Sequence, residues 1–346
     1  MIAIAAPESS CPSATDGEIA ATNLESARRA AWARFARDTR SAGVAEAILD
    51  LECQAAHFLG DLGALDRLHA LATQFSSSED SARASLIAAR AASAAHRFEE
   101  ARGHLARAAR LGGPVESIEV QWLTIAQACG VNLDAVLDAR SRIAGDSGRL
   151  EDHVPLGSLL ADLERFADAD AVYRHAFYSY NGVSPLPLAW VCFQLGMLWA
   201  ESVPVPDPAA AALWYRRAID YLPGYVRARV HLAELHISWG EHDDAEALLR
   251  PGLASGDPEV SWRIADLLRV QGRLEEAKTQ LEAARASFEV LLRKHLLAFA
   301  DHAAEFYAGS GGDRLRAREL ARVNVTNRPT RAALRQARTL GEEREL

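Results

Sequence analysis

The sequence lacks the signatures that most chemical functions require. Its four cysteines, Cys11, Cys53, Cys129 and Cys192, are widely scattered and include no CxxC pair, so neither a zinc site nor a disulfide framework is predicted. The chain also has no GxxxxGK[ST] phosphate loop, no GxGxxG after a strand and no GxSxG elbow. We therefore predict that the protein is not an enzyme and binds no cofactor.

Lysine and long apolar runs are also scarce. Lys278 and Lys294 are the only lysines, which together with abundant alanine is typical of a GC-rich bacterial genome. The 38 basic residues are outnumbered by 47 acidic ones, giving a formal charge of −9. This balance argues against a nucleic-acid partner, because phosphate binding needs a net basic face. No apolar run is long enough to predict a membrane span.

The N-terminus allows two interpretations. Residues 1–6 are apolar but lack a positively charged flank, and residues 7–17 are rich in serine, proline and small polar residues. A flexible segment over residues 1–22 fits this composition. The remnant of a secretory signal is the other interpretation, if the true start lies upstream. We expect a cytoplasmic protein, or a periplasmic one if such a signal has been removed.

The main feature that the sequence does contain is a repeat. A small residue recurs at spacings of 34, 34, 42, 34, 32 and 40, early in the second helix of each predicted hairpin. These positions are Ala101, Ala135, Ala169, Ala211, Ala245, Ala277 and Ala317. Small residues belong where two helices cross closely, and large apolar residues fill the space between successive hairpins. The pattern predicts an all-α chain of antiparallel helix hairpins.

The residues around these positions resemble the tetratricopeptide repeat family. One copy reads Leu156, Gly157, Leu160, Phe166, Ala169, Tyr173 and Ala176; Gly240 and Gly272 stand at turns, and Pro223 and Pro329 follow second helices. The consensus tryptophan of the first helix is mostly absent, and His242 and Arg314 stand where an apolar residue is usual. The resemblance implies a right-handed superhelical solenoid of about seven or eight repeats.

The match to the repeat varies along the chain. We predict degenerate hairpins over 23–150, well-matched repeats over 151–329 and a capping helix over 330–346, all in one continuous solenoid. The first hairpin is expected at 45–74, with its turn at Gly60 or Gly63. Loop insertions are predicted at 178–188 and 201–208. No glycine or proline interrupts residues 273–308, so the helices there are predicted to be lengthened or joined without a breaker.

In this family the first helix of each hairpin lines a concave groove, and the resemblance places a binding surface on the aligned positions. They are Trp190, Phe193, Gln194, Met197, Arg227, His231, Glu234, Glu259, Trp262, Arg263, Asp266 and Arg269. The positions of the chaperone-type carboxylate clamp hold Val230, Glu234, Arg263 and Glu259 instead of lysine and asparagine, so that binding mode is not expected. Arginine and tryptophan commonly contribute most of the binding energy at interfaces.

Histidines and carboxylates cluster between residues 231 and 244, and such side chains can form metal or catalytic sites. His231 and His236 are five residues apart, about 140° around a helix, so their side chains diverge. We predict no metal site there.

The leading hypothesis is a non-enzymatic scaffold that binds a peptide or partner protein in its groove. The alternative is a sensor module that binds a small ligand or metal inside the superhelix. Self-association into a homodimer through the C-terminal helices is also left open.

Overall fold

The computed structural model describes residues 11–39, 43–78 and 81–342, and these form seventeen α-helices without a strand. The helices are α1 (Gly17–Arg37), α2 (Val44–Leu59), α3 (Ala64–Ser78), α4 (Ala82–Ala94), α5 (Phe98–Arg110), α6 (Val115–Ala128), α7 (Leu133–Ser147), α8 (Leu150–Asp162), α9 (Phe166–Tyr178), α10 (Pro185–Met197), α11 (Pro208–Tyr221), α12 (Val226–Trp239), α13 (His242–Leu249), α14 (Pro258–Val270), α15 (Leu274–Ala308), α16 (Arg314–Asn327) and α17 (Arg331–Glu342). The predicted all-helical repeat fold is confirmed.

One residue with a left-handed backbone ends the first helix of most hairpins. These residues lie five positions before a repeating small residue and are His96, Gly130, Glu164, Gly240, Gly272 and Gly312. The next N–H returns to a carbonyl five residues earlier, as in Arg97 N to Ala92 O, at 2.8 Å. This is the Schellman motif, which satisfies the last carbonyls of a helix and favours glycine because positive φ strains other residues.

The repeating small residues lie where the two helices of a hairpin meet. Six of the seven are buried: Ala101, Ala169, Ala211, Ala245, Ala277 and Ala317. On the facing helix, a Cβ added at Gly157 would stand 2.5 Å from the Tyr173 ring, and one added at Gly196 would stand 2.3 Å from the Tyr215 ring. Glycine in the first helix therefore makes room for the tyrosine of the second.

The prediction for Ala135 is wrong. Ala135 is exposed, and its neighbour Val136 is completely buried. The turn before α7 contains a second left-handed residue, Asn132, in addition to Gly130. That extra turn residue delays the second helix by one position, so Val136 replaces Ala135 at the crossing.

Helix boundaries follow the predicted breakers, with two shifts. Helix α11 ends before Pro223 and α16 ends before Pro329, as predicted. The predicted loop at 178–188 is shorter, because α10 already begins at Pro185, whose fixed φ suits a first turn. Helix α1 begins at Gly17, inside the segment predicted to be flexible, while residues 1–10 lie outside the described part of the chain.

Helix α15 shows how two repeats join in the region that contains neither glycine nor proline. Its 35 residues run from Leu274 to Ala308, with one non-helical residue, His295 (φ −139°, ψ 48°). The helices of two successive hairpins are thus joined directly, and we call them the first arm (274–294) and the second arm (296–308) of α15.

The chain forms two compact units. The first contains the described residues up to Thr22 together with Leu137–Ala228, and the second contains Asn23–Val136 together with Arg229 and the described residues after it. In the first unit, Tyr221 Oη donates to the Pro12 carbonyl at 2.8 Å. In the second unit, Lys294 Nζ lies 2.6 Å from Asp66 Oδ2, so segments distant in sequence pack together. The predicted segment limits at 22, 150 and 329 stay predictions.

The glycine–tyrosine crossing predicts opposite effects for two glycine-to-alanine changes. Gly196→Ala forces a methyl group into the Tyr215 ring and should destabilise the protein by about 2 kcal/mol, despite alanine's better helix propensity. Gly103→Ala, in the middle of α5 with open space around it, should instead stabilise by about 0.5–1 kcal/mol. Urea denaturation followed by circular dichroism measures both, and a neutral Gly196→Ala would contradict the crossing.

Candidate functional site

The predicted groove residues of the first unit comprise one buried support and several half-buried side chains. Phe193 is 3% exposed, with its ring 5.3 Å from that of Tyr225 and 5.8 Å from that of Tyr215. The Arg227 guanidinium covers the same ring at 5.7 Å. Trp190, Gln194 and Met197 are half-buried. Phe193 therefore fixes the surface from beneath, and the half-buried side chains form the part that a partner could reach.

Trp262 is likewise a core residue of the second unit. It is 5% exposed and packs edge-on against Phe306 at 5.5 Å and Phe288 at 6.4 Å. The guanidinium of Arg263 lies 3.7 Å from the Trp262 ring centroid. Two buried N–H donors here, Trp262 Nε1 and Arg263 Nε, have no acceptor among the residues that the structure describes.

The charged residues predicted around Trp262 meet in one network on α12 and α14. Arg263 pairs with Glu234, which also accepts from His231 Nδ1 at 3.2 Å. Asp266 lies 3.4 Å from Arg269 Nη2 and accepts a hydrogen bond from Ser310. Glu259 pairs with His302 on the second arm of α15. All seven predicted residues of the second unit are therefore in or beside this network, although no observation tests their part in binding.

The network changes the acidity of Glu234. Burial raises its pKa, but the hydrogen bond from His231 and the charges of His231 and Arg263 outweigh burial, so the pKa lies below its ordinary value. Glu234 is thus held as an anion between two basic groups. A polar partner would have to exchange with these ion pairs instead of meeting free charges.

The histidines of the cluster at residues 231–244 separate in the structure and contact different partners. His236, Glu241 and Asp244 come together, with all three ligand atoms within 4.8 Å of one another, whereas His231 joins Glu234. His236 Nδ1 lies 2.6 Å from Glu241 Oε2. Glu241 stands at the N-cap position of α13 and Asp244 is in its first turn, where the positive end of the helix stabilises carboxylates and opposes a cation. The three side chains thus form an ion pair beside an acidic first turn.

The second unit contains a cleft that the sequence analysis did not predict. It encloses about 770 Å³ between α2, α4 and α6, the first helices of three successive hairpins. Its apolar wall includes Leu49, Leu86, Ile87, Pro114 and Val120, and the polar lining is Glu46, Arg83, Arg90, Glu116, Ser117 and Gln121. We call this space the α2–α4–α6 cleft.

Ion pairs fix the polar edge of the α2–α4–α6 cleft. Arg83 donates to both carboxylate oxygens of Glu46, at 2.7 and 2.9 Å, and Arg90 pairs with Asp50. The hydrogen bond from Arg83 holds the pKa of Glu46 below its ordinary value, although burial raises it. Val120 is 44% exposed, so apolar surface is open to a partner beside fixed charges.

One signal in the sequence indicates this cleft. Helix α6, VESIEVQWLTIAQA, carries apolar residues on more than one face, and three of them, Val115, Val120 and Trp122, are exposed. A surface helix with one buried face should carry a single apolar stripe. Val120, one of the apolar residues outside the buried face, lines the cleft.

Comparisons with known proteins agree with this architecture. Residues 207–256 match the family model of the tetratricopeptide repeat. Among solved structures, the chain is similar to that of the APC/C hetero-tetramer Cut9–Hcn1, with a TM-score of 0.51 and 15% identity over 76% of this chain. The matched region spans about half (50%) of that chain. No curated protein matches the sequence.

Two further structures are similar at lower scores. BtubC from P. vanneervenii has a TM-score of 0.41 and 14% identity, over 61% of this chain and 88% of its own. The C-terminal part of a TPR repeat-containing protein from Cytophaga hutchinsonii has a TM-score of 0.35 and 12% identity, over 84% and 97%. The seventeen helices of the described residues define a helical-repeat fold, and residues 207–256 are similar to the tetratricopeptide repeat.

In the described part of the chain, no helix combines the length and apolarity that crossing a bilayer needs.

His96, whose Nδ1 atom is buried, predicts a specific pH dependence. Its ring bonds the Leu297 carbonyl, and burial, reinforced by the Arg328 charge, lowers its pKa from 6.5 to about 4. The unfolded chain therefore binds a proton that the folded chain rejects between these values, so stability should fall as pH drops from 6.5. Thermal unfolding between pH 7 and 5 measures this slope. His96→Asn, which tolerates positive φ, should flatten it.

The half-exposed His104, on the same hairpin, supplies a matched control. His104→Asn measures the general effect of replacing a histidine on this hairpin. Equal slopes in wild type and His96→Asn would contradict a buried neutral imidazole at residue 96.

Proposed function

We propose that the chain is a non-enzymatic interaction scaffold that binds a peptide segment of a partner protein on the first helices of its hairpins. The α2–α4–α6 cleft is the observation that carries this proposal. Tetratricopeptide-type solenoids present extended binding surfaces, and the fold is typically non-catalytic. The cleft adds what such a surface needs, an apolar floor with fixed polar groups at its edge.

The charged network on α12 and α14 supports a second contact region for the same kind of partner. The side chains of Arg263 and Glu234 are partly exposed and that of Arg269 is mostly exposed, so a polar partner can reach this network. We propose that the predicted groove residues act here as polar contacts, with Trp262 as a buried support.

Small-molecule binding is the second candidate, and the size of the cleft favours it. Its volume of about 770 Å³ falls within the range of ligand pockets. A ligand at 100-fold over its dissociation constant would add about 2.7 kcal/mol of stability, which a thermal-shift screen of metabolites detects. A hit that is lost in a cleft variant would favour the sensor hypothesis.

The scaffold proposal is tested by peptide selection on the immobilised full chain, followed by fluorescence anisotropy with the selected peptides. Val120→Glu places a carboxylate on the apolar wall and should weaken binding about tenfold or more, since its desolvation opposes docking. Val205→Glu, at a valine that is 81% exposed outside the cleft, should bind like wild type. Equal binding by both variants would refute the assignment to the cleft.

A further inference from the structure

Helix α15 has a sequence that favours an unbroken helix. Its 35 residues contain neither glycine nor proline, and residues around the bend include the strong helix formers Leu292, Arg293 and Lys294. Sharp kinks usually need proline, a glycine pair, a π-bulge or an inserted side chain. The bend at His295 must therefore be imposed by tertiary contacts.

The bend reverses the chain. The ring centroids of Phe288, on the first arm, and Phe306, on the second, are 4.9 Å apart. In a straight helix, residues 18 positions apart are separated by about 27 Å. Tyr307 also donates to Glu289 across the two arms. The two arms therefore share one core, which includes Trp262 and Ala317.

Contacts with the first half of the second unit hold the bend. Asp66 on α3 lies 2.6 Å from Lys294 Nζ and 2.9 Å from His295 Nε2, the two residues at the bend. Beyond the bend, Leu297 accepts from the His96 ring, and Asn327 Nδ2 donates to the His96 carbonyl at 2.9 Å. The bend is thus bound to α3, and the second arm and α16 are bound to the turn after α4.

We propose that α15 is a hinge through which two copies of this chain exchange the second arm together with α16 and α17. In the exchanged dimer α15 runs straight, and the segment after His295 occupies the same core in the other copy. The contacts of Phe306 with Trp262 and Phe288 re-form between chains, so only the bend and the pairing of Asp66 with Lys294 and His295 are lost. A short hinge held bent against a helical sequence favours such exchange.

Three variants of the full chain test the exchange, measured by size-exclusion chromatography with light scattering after refolding at low and high protein concentration. Asp66→Ala removes the ion pairs of Asp66 with Lys294 and His295, which hold the bend. It should raise the dimer-to-monomer equilibrium constant about tenfold. Leu296→Pro places proline at the first position of the second arm, where the bent form accepts it and a straight helix does not. It should abolish the dimer. Leu296→Ala, the matched control, should dimerise like wild type.

Each outcome decides the proposal. Dimer in wild type and Leu296→Ala after refolding at high concentration, with none in Leu296→Pro, supports exchange at His295. Equal dimer in Leu296→Pro and Leu296→Ala means ordinary surface association and overturns it. Monomer in wild type and Asp66→Ala at every concentration also overturns it. Thermal unfolding of Leu296→Pro establishes that its monomer is folded.

Discussion

The close crossing of the two helices within each hairpin is the constraint on which this structure depends. A left-handed residue ends the first helix, and five residues later a small side chain of the second helix meets the first, as Gly240 and Ala245 illustrate. Without a small residue the helices would stand farther apart, and the tyrosines that fill the facing glycine sites would lose contact. The turn sets the register, and the small residue sets the distance.

The surfaces proposed for binding follow from this constraint. Second helices use their small residues for the crossing, whereas the first helices have side chains left to present between successive hairpins. On α2, α4 and α6 these side chains leave an apolar cleft edged by ion pairs. On α12 and α14 they form a partly exposed network of ion pairs. The same scaffold thus offers an apolar and a polar surface within the second unit.

Features that depend on local sequence could be predicted, and those that depend on tertiary contacts could not. The spacing of alanines located six crossings, and Pro223 and Pro329 marked helix ends. One extra left-handed residue, Asn132, was enough to misplace the crossing at Ala135. The burial of Trp262 depends on Phe288 and Phe306, which lie on a helix whose reversal no local signal marks.

The candidate site was predictable only in part, for the same reason. The resemblance placed charged residues of α12 and α14 on one surface, and the structure brings them together. Which charges neutralise one another, such as Glu234 with Arg263, depends on the distance between helices and is invisible in the sequence. The α2–α4–α6 cleft was not predicted because its hairpins depart most from the repeat pattern. The resemblance therefore assigned no groove position to Val120.

The most direct test of the account compares two alanines on helix α9. Ala169 is completely buried at the crossing, and Ala171, two residues later, is exposed. The account predicts that Ala169→Leu forces the helices apart and lowers the free energy of unfolding by about 2–3 kcal/mol, while Ala171→Leu changes it by less than about 0.5 kcal/mol. Equal effects of the two substitutions, measured by urea denaturation, would contradict the claim that the crossing sets the fold.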